Sequence, residues 1–444
     1  MHRHTLLWLG IFVLLSIFFL TRYHIVGQAV YGDGIYYWAY THSAVIDQDL
    51  NFQNEGAHRY GPVTNNSIGQ ESQGTDQTDL ANDKYYPLGP SLLWIPFFSV
   101  VHSAIALINN LGFLVPNNGY ADSYQMAVGL INVGFVLTGI MLINRLLRKL
   151  YSAFVAGAAS LVILFGTNLL YYGSLDVLNS HPASFLLCSI FTYVFVLYRE
   201  NMSPRHWLGF GVLLGFMSLV RLQDSLFVLM PLSFFIQKCI SKKPKARAKL
   251  FTPLFALLLG ACIGFLPQLL ISKALYGTFY LLPYTLGGAA FPSGENKILQ
   301  LFIDEQKGLL FYSPLFIAGL IGLLVLKDKT AALKLPFLAV IIVVFILVGS
   351  WSGWSQGEAF GMRMFISLLP LIAFGIAEVI KCSLSKLSKP IIIALCLLFI
   401  LHNLTMIATF HLFFHNPTYI GSELSRSGKI KIELLKKIRL LYAN

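Results

Sequence analysis

The stretch MHRHTLLWLGIFVLLSIFFLTRYH, Met1 to His24, sets the fold class of this 444-residue chain. A helix needs about 20 apolar residues to cross a membrane, because unpaired backbone groups cannot be left in hydrocarbon. Comparable runs recur along the chain, which is 56% hydrophobic and only 12% charged, whereas about 25% charged is usual for soluble proteins. The sequence therefore predicts an all-α, polytopic transmembrane helical bundle.

The apolar runs predict about eleven spans. No small-residue cleavage site follows the first run, so we expect it to remain as an anchor. The run 88–111 is interrupted by prolines, histidine and asparagines, and we interpret it as a helix at the membrane interface. The predicted spans are 6–20, 124–143, 153–172, 182–198, 207–220, 226–240, 250–271, 309–326, 335–350, 364–380 and 390–410.

The placement of basic residues predicts the orientation of the bundle. If the run 88–111 does not cross, the Lys and Arg clusters at 145–149, 199–205, 242–249, 327–334 and 381–389 all lie on one side. By the positive-inside rule that side is cytoplasmic. We therefore expect residues 27–122 to form a long outer loop, on the periplasmic or lumenal face of the membrane.

Charge and cysteine content exclude other classes of protein. The net charge of +12 could indicate nucleic-acid binding, but the basic residues flank apolar runs, so they indicate topology and we expect no nucleic-acid partner. The five cysteines include no CxxC and none lies in the outer loop. No disulfide framework and no zinc site are predicted.

The outer loop carries nine of the 20 acidic residues, and Asp33 stands out among them. Most acids in such a loop are solvated surface. Asp33 instead follows the first span directly, within a Gly-Asp-Gly turn, and precedes Tyr36, Tyr37 and Tyr40, which suit the headgroup boundary. Glycines allow close backbone approach to a ligand, so the Asp33 carboxylate is a candidate general base for a hydroxyl at the membrane face.

Further polar residues lie at the predicted outer ends of spans. Ionisable groups at membrane depth are costly and either line a cavity or pair with one another. The polar residues at these ends are Lys84 in DKYYPLGP, Asp176, Asn179 and His181 in YYGSLDVLNSHPAS, Arg221 and Asp224 in SLVRLQDSLF, and Glu358 and Arg363 in WSGWSQGEAFGMRMF. The simplest structural alternatives are an Arg221–Asp224 pair and a packing or capping role for His181.

Five blocks, taken in order, carry a family resemblance: GDGIYYWAYTHSAVIDQDLNF, KYYPLGPSLLW, GFMSLVRLQDSLFVLMPL, PQLLISKALYG and WSGWSQGEAFGMRMFISLLP. Their order and spacing resemble those of the bacterial C-type (GT-C) integral membrane glycosyltransferases, which are relatives of the protein O-mannosyltransferases and the lipid A aminoarabinose transferase. The resemblance covers nearly the whole chain.

The resemblance implies a transmembrane glycosyltransferase domain at 1–410, in a bacterial inner membrane and with its active site on the periplasmic or extracellular side. Its outer catalytic loop, 27–122, would contain a juxtamembrane helix at 88–111 and carry the catalytic acid, here Asp33. The basic tail, 411–444, is expected to form an interfacial helix. Members of the family transfer a sugar from a polyprenyl-phosphate carrier to a hydroxyl acceptor, commonly with inversion and often without a metal. The partners implied are therefore membrane lipid, this donor and a glycan, lipid or protein acceptor.

One departure from the family pattern concerns a second acid. Relatives carry it in the next outer loop, within Val-Leu-Asp-Pro, where this chain has Asn179 in VLNSHP. That role is either absent here or moved to Asp176 or His181. Because the leaving phosphate gains charge, a guanidinium or ammonium group should stabilise it, and Arg363, Arg221 and Lys84 are the candidates.

Asp47 and Asp49 form an Asp-x-Asp pair, a pattern that can hold a divalent metal on a nucleotide-sugar diphosphate. A monophosphate donor outside the cell needs no such bridge, so we predict neither a metal nor another cofactor. We expect Asp47, Asp49, Tyr36 and Tyr37 to act as secondary loop residues.

Two other classes of function remain as alternatives. A lipid-linked sugar transporter or flippase would also carry buried charges, but with internal repeats and broken spans near mid-bilayer, and no repeat is found. An O-antigen ligase or polymerase would use polyprenyl-linked glycans at the same face, with arginines in its outer loops.

Overall fold

The computed structural model describes residues 2–58, 87–200, 202–240, 251–279, 296–305, 307–357 and 359–414. The described residues are helical and contain no strand. The helices are α1 (His2–Val26), α2 (Asp33–His42), α3 (Gln53–Ala57), α4 (Gly89–Asn110), α5 (Asp122–Leu150), α6 (Ala153–Phe165), α7 (Leu169–Ser174), α8 (Ser180–Tyr198), α9 (Pro204–Val220), α10 (Leu229–Ile240), α11 (Phe251–Tyr276), α12 (Ile298–Ile303), α13 (Leu309–Tyr312), α14 (Pro314–Leu324), α15 (Lys334–Gly349), α16 (Leu369–Ser383) and α17 (Lys389–Phe414).

Short non-α segments join some of these helices. A π-turn, Ser43–Asp47, continues α2, and 3₁₀ turns cover Leu222–Val228, Asp328–Leu333 and Arg363–Leu368. The predicted run 153–172 is divided into α6 and α7, and the predicted run 309–326 into α13 and α14.

Within the described residues, eight helical stretches are long and apolar enough to cross a membrane. They are α1, α4, α5, α8, α11, Asp328–Gly349, Arg363–Ser383 and α17. Helices α6 and α14 and the stretch Leu222–Gln237 are apolar but shorter. The protein is thus an all-helical protein of the integral membrane type, while the count of about eleven spans and the interfacial position of α4 stay predictions.

Apolar side chains on the outside of the bundle match a lipid environment. Leu6 of α1, Leu258 of α11 and Leu398 of α17 are more than 60% exposed, at 65%, 64% and 61%. Exposed apolar surface on this scale indicates contact with an apolar phase.

Glycines allow helix backbones to touch inside the bundle. A Cβ atom on Gly211 or Gly215 of α9 would collide with the backbone of α11, and one on Gly260 or Gly264 of α11 would collide with α9. This small-xxx-small pattern lets two helices approach closely without a hydrophobic driving force. Helices α9 and α11 therefore pack backbone to backbone.

The start of α2 is positioned by two glycines. Gly32 has φ 54°, a left-handed conformation that favours glycine, and it turns the chain so that α2 begins at Asp33. A Cβ atom on Gly34 would collide with the carbonyl oxygen of Leu178, which precedes α8. The start of α2 thus lies directly against the segment between α7 and α8.

Candidate functional site

Asp33 and Arg363 form an ion pair across 330 positions of sequence. The distance from Asp33 Oδ2 to Arg363 Nη1 is 3.0 Å, and their side chains are 30% and 25% exposed. Asp33 begins α2, whereas Arg363 begins the 3₁₀ turn that follows Gly361, whose φ is 58°. Two residues singled out separately in the sequence are therefore brought together in a position that a ligand can reach.

The chain around Met364 holds Arg363 in place. The Met364 backbone N–H donates to Gln356 Oε1 at 3.0 Å, and Gln223 Nε2 donates to the Met364 carbonyl at 2.6 Å. Both glutamines are buried. The sequence reading missed these residues, and no sequence signal distinguishes them, since their role depends on contacts between distant segments.

Asp176 lies within electrostatic reach of Arg22, Arg363 and Asp33. Asn179 Nδ2 donates to Asp176 Oδ1 at 2.9 Å and also to the Asp176 carbonyl, while Asn179 Oδ1 accepts from the His181 N–H at 2.8 Å. Burial raises the pKa of Asp176, against the lowering effect of the Asn179 hydrogen bond and the two arginines. Asn179 thus caps α8 and orients a neighbouring carboxyl group.

Arg22, at the end of the first predicted span, was not among the predicted site residues. Its Nε donates to the Leu175 carbonyl and its Nη2 to the Tyr31 hydroxyl, both at 3.1 Å. Its Nη1 lies 3.5 Å from His411 Nδ1. A sequence signal did exist, because a basic residue at the predicted outer end of a span opposes the positive-inside pattern.

Arg221 and His181 are both buried. Arg221 Nη1 is 3.1 Å from Ser180 Oγ and 3.3 Å from His181 Nδ1, and the His181 ring lies 4.7 Å from the Tyr172 ring, centroid to centroid. His181 is therefore enclosed between a guanidinium and an aromatic ring, a position that suits packing rather than proton transfer.

Asp224 is buried near Arg221 and forms a hydrogen bond with a serine of α8. Its Oδ2 accepts from Ser184 Oγ at 2.6 Å. Asp224 Oδ1, Arg221 Nε and Gln223 Oε1 are buried without a hydrogen-bond partner among the described residues. Unpaired buried polar atoms are uncommon in folded proteins and require explanation, and ordered water beside these three atoms would supply the missing partners.

The Asp-x-Asp pair does not converge on one point. Asp49 Oδ1 accepts from Ser43 Oγ at 2.8 Å and from the Asn51 N–H at 3.1 Å, so it organises its own turn. Asp47 Oδ2 instead accepts from Asn54 Nδ2 at 2.9 Å and lies 3.0 Å from His42 Nδ1. The two carboxylates are used separately.

The two predicted tyrosines, Tyr36 and Tyr37, differ in burial. Tyr37 is buried and its ring packs edge-on against Trp94 of α4, with centroids 6.1 Å apart, while Tyr36 is partly exposed. The candidates Lys84 and Glu358, and the basic tail from position 415 onward, lie outside the described residues.

Compared with known protein families and with curated proteins, the sequence matches none. The functional argument therefore depends on the geometry of the Asp33–Arg363 pair and its surroundings.

Proposed function

We propose that this protein is a GT-C-type membrane glycosyltransferase that moves a sugar from a polyprenyl-phosphate donor to a hydroxyl acceptor. The observation that carries the proposal is the 3.0 Å pair of Asp33 and Arg363, each still partly exposed. A polyprenyl donor keeps its tail in the bilayer, so its reacting carbon lies where spans end. A carboxylate and a guanidinium side by side at that level match the two needs of the reaction.

Asp33 serves as the general base. As the acceptor oxygen attacks the anomeric carbon, its proton passes to the Asp33 carboxylate, a C–O bond forms and the bond from that carbon to the phosphate oxygen breaks. Polyprenyl phosphate leaves, and a single displacement inverts the configuration. A positioned base of this kind contributes about 10²- to 10⁴-fold in rate.

Arg363 stabilises the leaving phosphate. Negative charge builds on the phosphate as the glycosidic bond breaks, and a guanidinium can match two of its oxygens at once. In the free protein Arg363 neutralises Asp33. Donor binding gives Arg363 a second anion, which leaves the carboxylate available to the acceptor hydroxyl.

Asp176 is the better candidate for the second acidic role. It shares the electrostatic environment of Asp33 and Arg363, whereas His181 is buried 3.3 Å from the Arg221 guanidinium. We assign Arg221 to the structural support of α8 rather than to direct contact with the donor phosphate.

The proposal places the reaction on the periplasmic or extracellular side, with about eleven spans. The clustering of basic residues between spans supports this orientation. Cysteine labelling of intact cells, in a background without native cysteines, tests it: Asp79→Cys should react from outside and Lys245→Cys only after permeabilisation. Labelling of Lys245→Cys from outside would contradict the orientation.

Transfer of a radiolabelled sugar from a polyprenyl monophosphate in membranes tests the function itself. We expect label in an endogenous acceptor and an equal amount of released polyprenyl phosphate, with Asp33→Asn membranes as the control. Label that crosses the membrane without a new bond would indicate a flippase. Transfer only from a diphosphate-linked glycan would indicate a ligase or polymerase.

A further inference from the structure

The far end of α2 carries a second cluster of ionisable groups, separate from the Asp33 pair. His42 Nδ1 lies 3.0 Å from Asp47 Oδ2 and 3.0 Å from Glu55 Oε1. His42 and Glu55 are buried, and the side chain of Asp47 is 25% exposed. One donor atom from each residue lies within 4.8 Å of the others, so the three atoms can surround a single small ligand.

The hydrogen bond on the other side of the ring defines the state of His42. His42 Nε2 is 2.9 Å from the Asn118 backbone carbonyl, which can only accept, so Nε2 carries a proton. In neutral His42 the Nδ1 lone pair then points at two carboxylates. A metal-ligating histidine usually donates its other ring N–H to a carbonyl or carboxylate oxygen, as His42 Nε2 does here.

Protonation of His42 Nδ1 does not balance the charge of the cluster or satisfy all of its hydrogen-bonding atoms. With both carboxylates ionised, a protonated His42 still leaves one net negative charge in a largely buried place. It also leaves Glu55 Oε2 buried without a hydrogen-bond partner among the described residues. A divalent cation would balance both carboxylates and give the Glu55 carboxylate a second interaction.

We propose that His42, Asp47 and Glu55 bind a divalent transition-metal ion of the Zn²⁺ class. Imidazole nitrogen and carboxylate oxygen are common Zn²⁺ ligands at about 2.0–2.1 Å, and donor atoms at two corners of such a tetrahedron are about 3.3 Å apart. The observed 3.0 Å separations are close to that spacing. The exposed side of Asp47 leaves the fourth position open to water.

The site holds the outer loop rather than acting on the sugar. It ties the end of α2 to α3 and to the turn at Asn118, and His42 stacks on Tyr120 at 4.1 Å between ring centroids. Asp33 and His42 are the two ends of α2, roughly 13 Å apart at the rise of an α-helix. The ion would therefore position α2, and with it Asp33, without contact with the reacting atoms. The inference does not depend on the proposed function.

Metal content of the purified full-length protein tests the site. The protein is prepared without a polyhistidine tag, treated with chelator, exposed to Zn²⁺ and freed of unbound ion before metal analysis and thermal unfolding. We expect about one Zn²⁺ per chain and a higher unfolding temperature with the ion. His42→Gln and Glu55→Gln should lower the bound metal at least about tenfold, whereas His102→Gln should retain it.

The visible absorption of Co²⁺ bound to the wild-type protein is a second test, which does not require the variants to fold. We expect the intense visible absorption of a four-coordinate ion with a nitrogen ligand. Wild-type protein that binds no Zn²⁺, His42→Gln that binds it normally, or His102→Gln that loses it would overturn the proposal. Stabilisation by Ca²⁺ or Mg²⁺ with no Zn²⁺ bound would also overturn it.

Discussion

Two ionic clusters lie at opposite ends of the stretch Arg363–Ser383, roughly 30 Å apart at the rise of a helix. The outer pair is Asp33 with Arg363. The inner cluster is Lys381 with Asp328, Glu378 and Tyr151; the names follow the predicted sides of the membrane. Both contain contacts of similar length: 3.0 Å in the outer pair, and 3.2 Å and 3.0 Å from Lys381 to the inner carboxylates.

The surroundings of the two clusters differ. Glu378 is buried with both oxygens used, Oε2 by the Tyr151 hydroxyl at 2.9 Å and Oε1 by Lys381. Near the outer pair, by contrast, Gln223 Oε1 is buried without a hydrogen-bond partner among the described residues. The length of an ion pair therefore says little about its role, and neither does its exposure, since Lys381 and Asp328 are 39% and 68% exposed. A buried oxygen left unsatisfied near the outer pair is what distinguishes it, because such an atom indicates room for a further partner.

The largest expected effect separates the two clusters directly. Asp33→Asn keeps the shape of the side chain but removes the base, so single-turnover transfer should slow by at least about a hundredfold while donor binding persists. Asp328→Asn is the matched control, because Asn tolerates the positive φ of 56° found there, and it should transfer normally. If Asp33→Asn keeps most activity and Asp176→Asn or His181→Ala loses it, the base lies in the second outer loop.

Arg363→Ala should rank next. Loss of the guanidinium removes stabilisation of the charge that develops on the phosphate, so the rate at saturating donor should fall by about 10²- to 10³-fold. Arg363→Lys should also be slow, because lysine offers no bidentate fork. Lys381→Ala, the corresponding inner change, should leave the rate unaltered. Near wild-type transfer by Arg363→Ala would make Arg363 structural.

Gly34→Ala sharpens the comparison by moving the outer pair without removing it. The new methyl group would collide with the Leu178 carbonyl and shift α2, and a displacement of about 1 Å can slow a reaction up to about a hundredfold. We expect a loss on the order of tenfold, measured by transfer per folded molecule. Gly10→Ala, which meets no atom within 4 Å, is the control. Equal rates for both variants would contradict a close fit at Gly34.

The smallest effect on transfer should come from Glu378→Ala. This change leaves the Tyr151 hydroxyl without its acceptor and should destabilise the fold by about 1–3 kcal/mol. Thermal unfolding in detergent measures that loss, and transfer per folded molecule should stay at the wild-type level. A transfer defect as large as that of Asp33→Asn would show that the two clusters are coupled.

Hydropathy predicts the long helices well but not where they break. The predicted run 153–172 contains Gly166, Thr167 and Asn168, where the chain leaves α6 before α7 begins. Thr167 Oγ1 accepts from the Leu169 N–H at 3.2 Å, and Asn403 of α17 donates to the Phe165 and Thr167 carbonyls. These contacts satisfy the freed backbone groups, and a window of apolar residues carries no information about such distant partners.

The candidate site was predictable residue by residue but not as an arrangement. Asp33 and Arg363 could be singled out because ionisable groups at membrane depth are costly and either line a cavity or pair with one another. Their pairing depends on the approach of α2 to the 3₁₀ turn, and the supporting roles of Gln223 and Gln356 depend on the fold around Met364. Arg22 was passed over, although its position opposed the positive-inside pattern.

A structure with a non-transferable polyprenyl-phosphate sugar bound tests the central claim most directly. The account predicts the phosphate at the Arg363 guanidinium, with N–O distances of about 2.7–2.9 Å, and the anomeric carbon facing Asp33. A donor bound with its phosphate away from Arg363, or with Asp33 turned from the sugar, would contradict it.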